Sequence, residues 1–226
     1  MTRKSKRGRL IVIEGNDASG KGTQVRILVK ALRRKGFPVR VFDFPRYETE
    51  TGRKVAAYLR GDVCGLTAYE IAKLYADDRL AACCEIKEAL KKGVIVICNR
   101  YVPSNLLYQL ARLHEDRERK NFARWLESLE YGVNAMPKED LVIFLYVPVE
   151  IALSLLAKKE KRAYLKGEAK DINEQKAGFL RDVEAEYLAF SERSDWKKID
   201  CANGNGIHKE DVISRKVWRA VLPLLG

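Results

Sequence analysis

Residues 10–24 constrain the fold of this chain more than any other segment. The run Leu10–Glu14 is predicted to be a buried strand, and Gly15, four further residues, Gly20 and Lys21 follow it, with a helical pattern beginning at the lysine. Paired glycines allow a tight turn whose backbone N–H groups face one anion, and the start of a helix adds a favourable dipole. This is the context of a P-loop rather than of an ordinary glycine turn. The residues expected to contact a nucleoside triphosphate are Gly15, Asn16, Asp17, Ala18, Ser19, Gly20, Lys21, Gly22, Thr23 and Gln24.

Apolar runs and helical patterns alternate along the rest of the chain. The predicted strands are Leu10–Glu14, Val39–Phe44, Val94–Cys98, Leu141–Val147 and, interrupted by two lysines, Trp196–Ile199. The predicted helices are Lys21–Lys35, Ala68–Lys92, Asn105–Arg112, Arg119–Leu129, Glu150–Lys161, Asn173–Arg193 and Lys209–Leu224. Strands rich in Val, Ile and Leu are typical of parallel sheets covered on both faces. We therefore predict an α/β fold with a doubly wound, five-stranded parallel sheet flanked by helices, as one domain over residues 1–226.

Composition limits the class of protein. The chain has 226 residues, of which 46% are hydrophobic and 33% charged, and it contains no apolar run long enough to span a membrane. No apolar signal-peptide core follows its basic start, and its five cysteines form no CxxC pair, so we expect a cytoplasmic protein with reduced cysteines. The net charge of +12 is partly local, in a basic tail over residues 1–8. We favour a solvated tail there over an arm that binds nucleic acid.

The hydroxyl group of the loop is displaced from its usual position. Gly22 follows the lysine where a Ser or Thr is usual, and the hydroxyl comes one residue later, as Thr23. Nucleotide kinases that resemble adenylate kinase share this Gly-Lys-Gly-Thr form. Thr23 is the candidate ligand for the Mg²⁺ that accompanies ATP, either directly or through a water molecule.

Four further motifs, in this order and spacing, resemble those of the thymidylate kinases over about residues 10–199. The first is Asp17 inside the loop, and the second is Phe44-Pro45-Arg46-Tyr47 after the second strand. The third is Tyr75 and Arg79 at helical spacing, and the fourth is the stretch from Asn99-Arg100-Tyr101 to Gln109. The resemblance implies a P-loop nucleotide kinase fold with a small mobile lid, and transfer of the γ-phosphoryl group of ATP to dTMP. It also implies a homodimer.

The resemblance assigns a role to each motif. Asp17 would accept a hydrogen bond from the 3′-hydroxyl group, Arg46 would bind the monophosphate, and Tyr75 and Arg79 would stack on the base and bind its edge. Arg100 would clamp both phosphates, Asn105 would bind the base, and Tyr108 would exclude a 2′-hydroxyl group. The full set of expected dTMP contacts is Asp17, Pro45, Arg46, Tyr75, Arg79, Arg100, Ser104, Asn105, Tyr108 and Asp171. Each also has a structural alternative, such as an ion pair of Arg79 with Asp78 or Glu85.

We expect cationic side chains to stabilise the negative charge of the migrating phosphoryl group. They would come from Lys21, Arg100 and a lid over about residues 158–174. Ala18 occupies the loop position where some thymidylate kinases carry an arginine, so the lid cations Arg162 and then Lys158 are the remaining catalytic candidates. Asn99 stands where the family has the Asp that holds Mg²⁺ through water, and an amide brings no charge. Either another carboxylate compensates, with Glu14 and the pair Asp171 and Glu174 as candidates, or turnover is slow.

Other functions stay open at this point. A kinase of dUMP, of AMP or of a nucleoside would share the loop, and Gly22 with Asn99 is also compatible with an inactive kinase homologue. The non-enzyme alternative is a basic P-loop protein that binds nucleic acid, which the strongly positive charge supports. No aromatic residue lies among the basic residues of the tail, so this alternative is disfavoured.

Overall fold

Strands and helices alternate along the chain in the computed structural model, which describes residues 7–155, 174–204 and 206–225. The main strands are Leu10–Glu14 (β1), Val39–Asp43 (β2), Ile95–Asn99 (β3), Leu141–Tyr146 (β4) and Trp196–Asp200 (β5), and a short hairpin pairs Ala202–Asn203 (β6) with Gly206–Ile207 (β7). The helices are Lys21–Arg34 (α1), Glu50–Arg60 (α2), Ala68–Leu80 (α3), Cys83–Lys91 (α4), Val102–Leu110 (α5), Asp116–Glu127 (α6), residues 149–155 (α7), Glu174–Phe190 (α8) and Glu210–Leu225 (α9). A π-helix, Ser128–Val133, follows α6 directly.

The five main strands form one parallel sheet in the order β2-β3-β1-β4-β5. The connection after β1 leads towards β2 and β3 on one side, while β4 and β5 lie on the other. Reversal of the winding direction beside β1 opens a crevice at the carboxyl ends of the strands, where such sheets bind ligands. The register places Ile13 of β1 beside Asn99 of β3, and Asn99 beside Asp43 of β2. The loops after these three strands therefore meet at one place, and the predicted doubly wound sheet is confirmed.

Alternation along each strand supplies two separate cores. In β1, Leu10 and Val12 pack on one face of the sheet, and Ile11 and Ile13 pack on the other. The first face is covered by α3 to α6 and α8, and the second by α1 and α9. The central strands β1, β3 and β4 are buried on both faces and almost continuously apolar, which is why their sequence pattern identified them, whereas the edge strands β2 and β5 carry exposed polar residues.

The helices differ from the sequence prediction at several places. Ala68–Lys92 was expected to be one helix, but the chain turns at Ala81 and Ala82 and divides it into α3 and α4. Helix α5 begins at Val102 rather than Asn105, because Glu14 of β1 accepts hydrogen bonds from its first N–H groups. Helix α2 was not predicted, although its signal is present: the Thr49 side chain caps it by accepting from the N–H of Gly52.

The start of the described chain belongs to the fold. Gly8 donates its N–H to the carbonyl of Leu90 at 2.8 Å, and Arg7 and Arg9 both lie within 3.3 Å of the Asp140 carboxylate. Residues 7 and 8 are thus anchored against α4 and the start of β4, and the first six residues of the predicted tail lie outside the described residues. Among the described helices, none is both long and apolar enough to cross a bilayer.

Candidate active site

The loop after β1 presents backbone N–H groups and the start of α1 to the crevice. Gly15 has φ +145° and Gly20 has φ +84°, and a side chain on Gly15 would bring a Cβ atom 2.7 Å from the carbonyl oxygen of Leu145. Only glycine fits both the backbone conformation and the space there. No side chain caps the first turn of α1, so its N–H groups are available to an anion.

Lys21 lies across the loop and is almost buried. Its Nζ donates to the carbonyl groups of Gly15 at 2.9 Å and Asn16 at 2.8 Å. Burial of the ammonium group, aided by the positive charge of Arg100 and opposed by Asp17 and Glu14, lowers the pKa of Lys21 to about 7. An incoming phosphate would supply the negative charge that this cation needs.

Arg100 connects the loop with the neighbouring part of the crevice. Its Nη2 donates to Oδ1 of Asp17 at 2.7 Å, its Nη1 donates to Oγ of Ser104 at 3.1 Å, and its guanidinium lies 5.4 Å from the centre of the Tyr108 ring. The backbone of Arg100 has φ +63°, which is strained for a residue with a side chain and is typical of functional sites. One cation thus faces both the phosphate loop and α5.

Glu14 holds the start of α5 in place. The side chain is fully buried: Oε1 accepts from the backbone N–H groups of Tyr101 and Ser104, and Oε2 accepts from the hydroxyl groups of Ser104 at 2.5 Å and Tyr187 at 2.8 Å. With four donors around it, this carboxylate is occupied in joining β1, α5 and α8. Glu14 is therefore a structural anchor, and the expectation that it compensates for Asn99 at a metal ion is not supported.

A cavity of about 680 Å³ opens beside the loop, within the size range of ligand pockets. Eight of the predicted dTMP contacts line this cavity: Asp17, Pro45, Tyr75, Arg79, Arg100, Ser104, Asn105 and Tyr108. The loops after β1, β2 and β3, together with α3 and α5, bring these side chains to the same edge of the sheet. Of the remaining predicted residues, Lys158, Arg162 and Asp171 lie outside the described residues.

Arg46 does not line the cavity. Its Nε lies 3.3 Å from Oδ1 of the buried Asp78, its Nη2 donates to the carbonyl of Asp78 at 2.7 Å, and its backbone N–H donates to Oδ2. Tyr47, the next residue, lines the cavity instead. The partner of Arg46 comes from α3 and not from α2, the helix that follows it directly in the chain.

The inner wall of the cavity carries polar atoms without partners. Oδ1 of Asn105, the hydroxyl of Tyr108 and Oε1 of Gln109 are buried and have no hydrogen-bond partner among the described residues, whereas Nδ2 of Asn105 donates to the carbonyl of Ala72 at 2.9 Å. Unpaired buried polar groups are unfavourable unless a ligand satisfies them. Gln109 and Arg112 were given no role from the sequence, although the spacing of Gln109 from Asn105 places both on one face of α5, and Arg112 follows shortly after the end of that helix.

Arg79 lies deeper in the same wall than the sequence implied. Its guanidinium pairs with Glu130 of the π-helix, through Nε at 3.0 Å and through Nη2, and not with Asp78 or Glu85. Burial alone would lower the pKa of Arg79, but the Glu130 carboxylate reverses this and the net direction is upward. Arg79 therefore stays charged.

A magnesium ion accompanying ATP would have few protein ligands here. Oδ1 of Asn99, at the end of β3, is buried and has no hydrogen-bond partner in the described part of the chain, so it is suited to accept from a metal-bound water. In that part of the chain, no three His, Cys, Asp or Glu side chains cluster as a metal site. In general, Mg²⁺ is held by one or two protein groups together with phosphates and water.

Comparisons with known proteins agree with this geometry. Residues 13–212 match the protein family described as thymidylate kinase. Thymidylate kinase of Mycobacterium tuberculosis is 37% identical over 147 residues, which is 63% of this chain and 68% of that protein. The human thymidylate kinase is 35% identical over 144 residues, or 62% of each chain. A solved structure of thymidylate kinase from Candida albicans superposes with a TM-score of 0.73 at 24% identity, covering 96% of this chain and 92% of that one.

Proposed function

Since this chain belongs to the thymidylate kinase family and is a nucleoside monophosphate kinase, we propose that its crevice transfers the γ-phosphoryl group of ATP to dTMP, giving dTDP. The observation that carries this proposal is the position of Arg100. Its guanidinium touches Asp17 in the phosphate loop and Ser104 in the wall of the cavity. These two contacts support the proposal that Arg100 would contact the donor and the acceptor phosphates together.

The donor phosphates would lie in the loop over residues 15–24. Backbone N–H groups and the start of α1 would bind them, and Lys21 would exchange its two carbonyl partners for phosphate oxygens. Mg²⁺ would be held by the phosphates together with Asn99, through water, and Thr23. Bound there, the ion would offset negative charge on the β- and γ-phosphates.

The acceptor would occupy the cavity with its base towards α3 and α5. Thymine presents one N–H donor and carbonyl acceptors, which the unpaired oxygens of Asn105 and Gln109 and the guanidinium of Arg79 complement. Tyr75 would lie against the ring. Tyr108, whose ring is packed between Arg100 and Tyr187, would contact the sugar and leave no room for a 2′-hydroxyl group.

Transfer then depends on alignment and charge rather than on a general base. The acceptor oxygen is already an anion, so no proton has to be removed before it attacks the γ-phosphorus in line. Lys21 and Arg100 would stabilise the charge that spreads over the migrating group, and the lid residues Arg162 and Lys158 would add to it. Arg46 would act indirectly, because its contacts with Asp78 hold in place the loop that carries Pro45 and Tyr47.

A coupled assay of ADP release tests the proposal with a panel of acceptors: dTMP, dUMP, AMP and thymidine. We expect the highest kcat/KM with dTMP. Replacing Arg100 by alanine should lower kcat by about 100-fold or more, as loss of a charge-stabilising group at a reacting centre does. Arg124→Ala is the matched control, because Arg124 is exposed on α6 and, among the described residues, bonds only within its own helix. A best rate with AMP or thymidine, or equal loss in both variants, would refute the assignment.

We also propose that the enzyme works in the cytoplasm as a homodimer. All five cysteines are free thiols, and Cys64 and Cys84 are exposed, which suits a reducing compartment. The dimer follows from the family alone, and light scattering would distinguish the mass of one chain from that of two. Binding of nucleic acid is not part of the proposal.

A further inference from the structure

The ion pair between Arg79 and Glu130 is buried in the wall of the acceptor cavity. Arg79 is 2% exposed and Glu130 is 0% exposed, and the two residues are 51 positions apart in the chain. Oε1 of Glu130 accepts from both Nε and Nη2 of Arg79. The third nitrogen, Nη1, has no hydrogen-bond acceptor among the described residues. Arg79 lines the cavity.

Such a pair is not needed for stability in general. Removing two charges from water is unfavourable, and well-packed apolar residues often replace a buried ion pair without loss of stability. Here the pair is also incompletely satisfied, because Oε2 of Glu130 has no hydrogen-bond partner among the described residues. A pair with an unpaired oxygen is better explained by the position it imposes on Arg79 than by its contribution to folding.

An unusual backbone brings Glu130 to this position. Glu130 lies in the π-helix Ser128–Val133, whose wider turn is closed by a bond from the N–H of Asn134 to the carbonyl of Leu129, and the N–H of Met136 donates to the carbonyl of Glu130. Short π-helices are rare and occur often at functional sites, since they redirect side chains at some expense in packing. The side chain of Glu130 points into the protein, whereas its neighbours Gly132 and Val133 are exposed.

We propose that Glu130 is a positioning residue for recognition of the acceptor: it holds the Arg79 guanidinium by two nitrogens and so directs the third, Nη1, at the base in the cavity. This inference rests on the proposed function, because it requires an acceptor base beside Arg79. Glu130 itself does not line the cavity and does not contact the substrate. The neighbouring Asp78 is held by Arg46 from the loop after β2, so both buried charged residues at this end of α3 are fixed by partners from other segments.

Steady-state kinetics of Glu130→Gln test the inference. We expect the KM for dTMP to rise about tenfold, the size expected when a hydrogen bond involving a charged group is weakened, while kcat and the KM for ATP change less than about twofold. Glu186→Gln is the matched control, because Glu186 also pairs with an arginine from another helix, Arg119, but away from the cavity. This control should change thermal stability without changing the KM for dTMP.

A second comparison separates positioning from a general loss of structure. In the background of Arg79→Gln, adding Glu130→Gln should leave the KM for dTMP within about twofold, since the group to be positioned is gone. The same tenfold rise in that background, or an equal rise in the Glu186→Gln control, would overturn the inference. If Glu130→Gln is recovered unfolded by circular dichroism, Glu130→Asp replaces it, and a folded Asp variant with the parental KM for dTMP would also overturn it. The rate of the parent enzyme with dTMP tests the proposed function, and only the ratios between variants test Glu130.

Discussion

Replacing Tyr187 by phenylalanine removes one oxygen atom from the polar network beneath the active site. The hydroxyl donates to Oε2 of Glu14 at 2.8 Å and lies 3.0 Å from Oγ of Ser104, and the whole residue is buried. The ring stacks on Phe144 at 4.9 Å between centroids, and phenylalanine keeps that contact. The substitution therefore tests a hydrogen bond to a buried carboxylate with little change in packing.

The size of the expected loss in stability follows from the negative charge of the Glu14 carboxylate. A hydrogen bond to a charged group contributes about 1.5–3 kcal/mol, and a buried acceptor that loses a donor also loses its compensation for desolvation. Oε2 of Glu14 would keep only the Ser104 hydroxyl as a donor, so we expect a loss of about 2 kcal/mol in the free energy of unfolding. For a chain of this size each kcal/mol shifts the melting temperature by about 2–4 °C, which predicts a fall of about 4–8 °C.

Urea unfolding followed by circular dichroism measures the effect, with a lower midpoint and an unchanged slope as the expected result. Tyr69→Phe is the matched control. The Tyr69 hydroxyl has no hydrogen bond among the described residues, and phenylalanine keeps the packing of the ring on Phe122 and Trp125. Loss of this hydroxyl should therefore change the free energy of unfolding by less than about 0.5 kcal/mol. Equal midpoints for the two variants would refute the role assigned to the network around Glu14.

Three further predictions concern single residues. Because the pKa of Lys21 is about 7 in the free enzyme, Lys21 loses its proton as the pH rises through that value; kcat/KM for ATP should fall above about pH 7, and a flat profile from about pH 6 to about pH 9 would contradict this. Asn99→Asp should lower the Mg²⁺ concentration for half-maximal rate by about tenfold, since groups around a metal's ligands change its affinity by about 10–100-fold. Ala135→Gly should raise the free energy of unfolding by about 1 kcal/mol in urea titrations, because Ala135 has φ +49° and glycine adopts that conformation without strain.

The sequence predicted the strands well and the helix boundaries less well. The five predicted runs correspond to the five strands, and the three central ones, β1, β3 and β4, are apolar almost throughout because they are buried on both faces. The turn at Ala81 and Ala82 has no such local signal, since alanine favours helix. There the chain bends so that α3 and α4 each bury one face, and the Cys83 thiol lies against the carbonyl groups of Asn134 and Ala135.

The sequence by itself determined the phosphate loop, because the spacing of Gly15, Gly20 and Lys21 specifies a backbone conformation and needs no distant partner. It also predicted eight of the residues that line the cavity, from motifs in the loops and helices that follow successive strands. Only the tertiary structure decided which charges are paired: Arg46 with Asp78, and Arg79 with Glu130. The physical reason is that local spacing encodes backbone geometry, whereas a buried charge is neutralised by whichever group packing brings beside it from elsewhere in the chain.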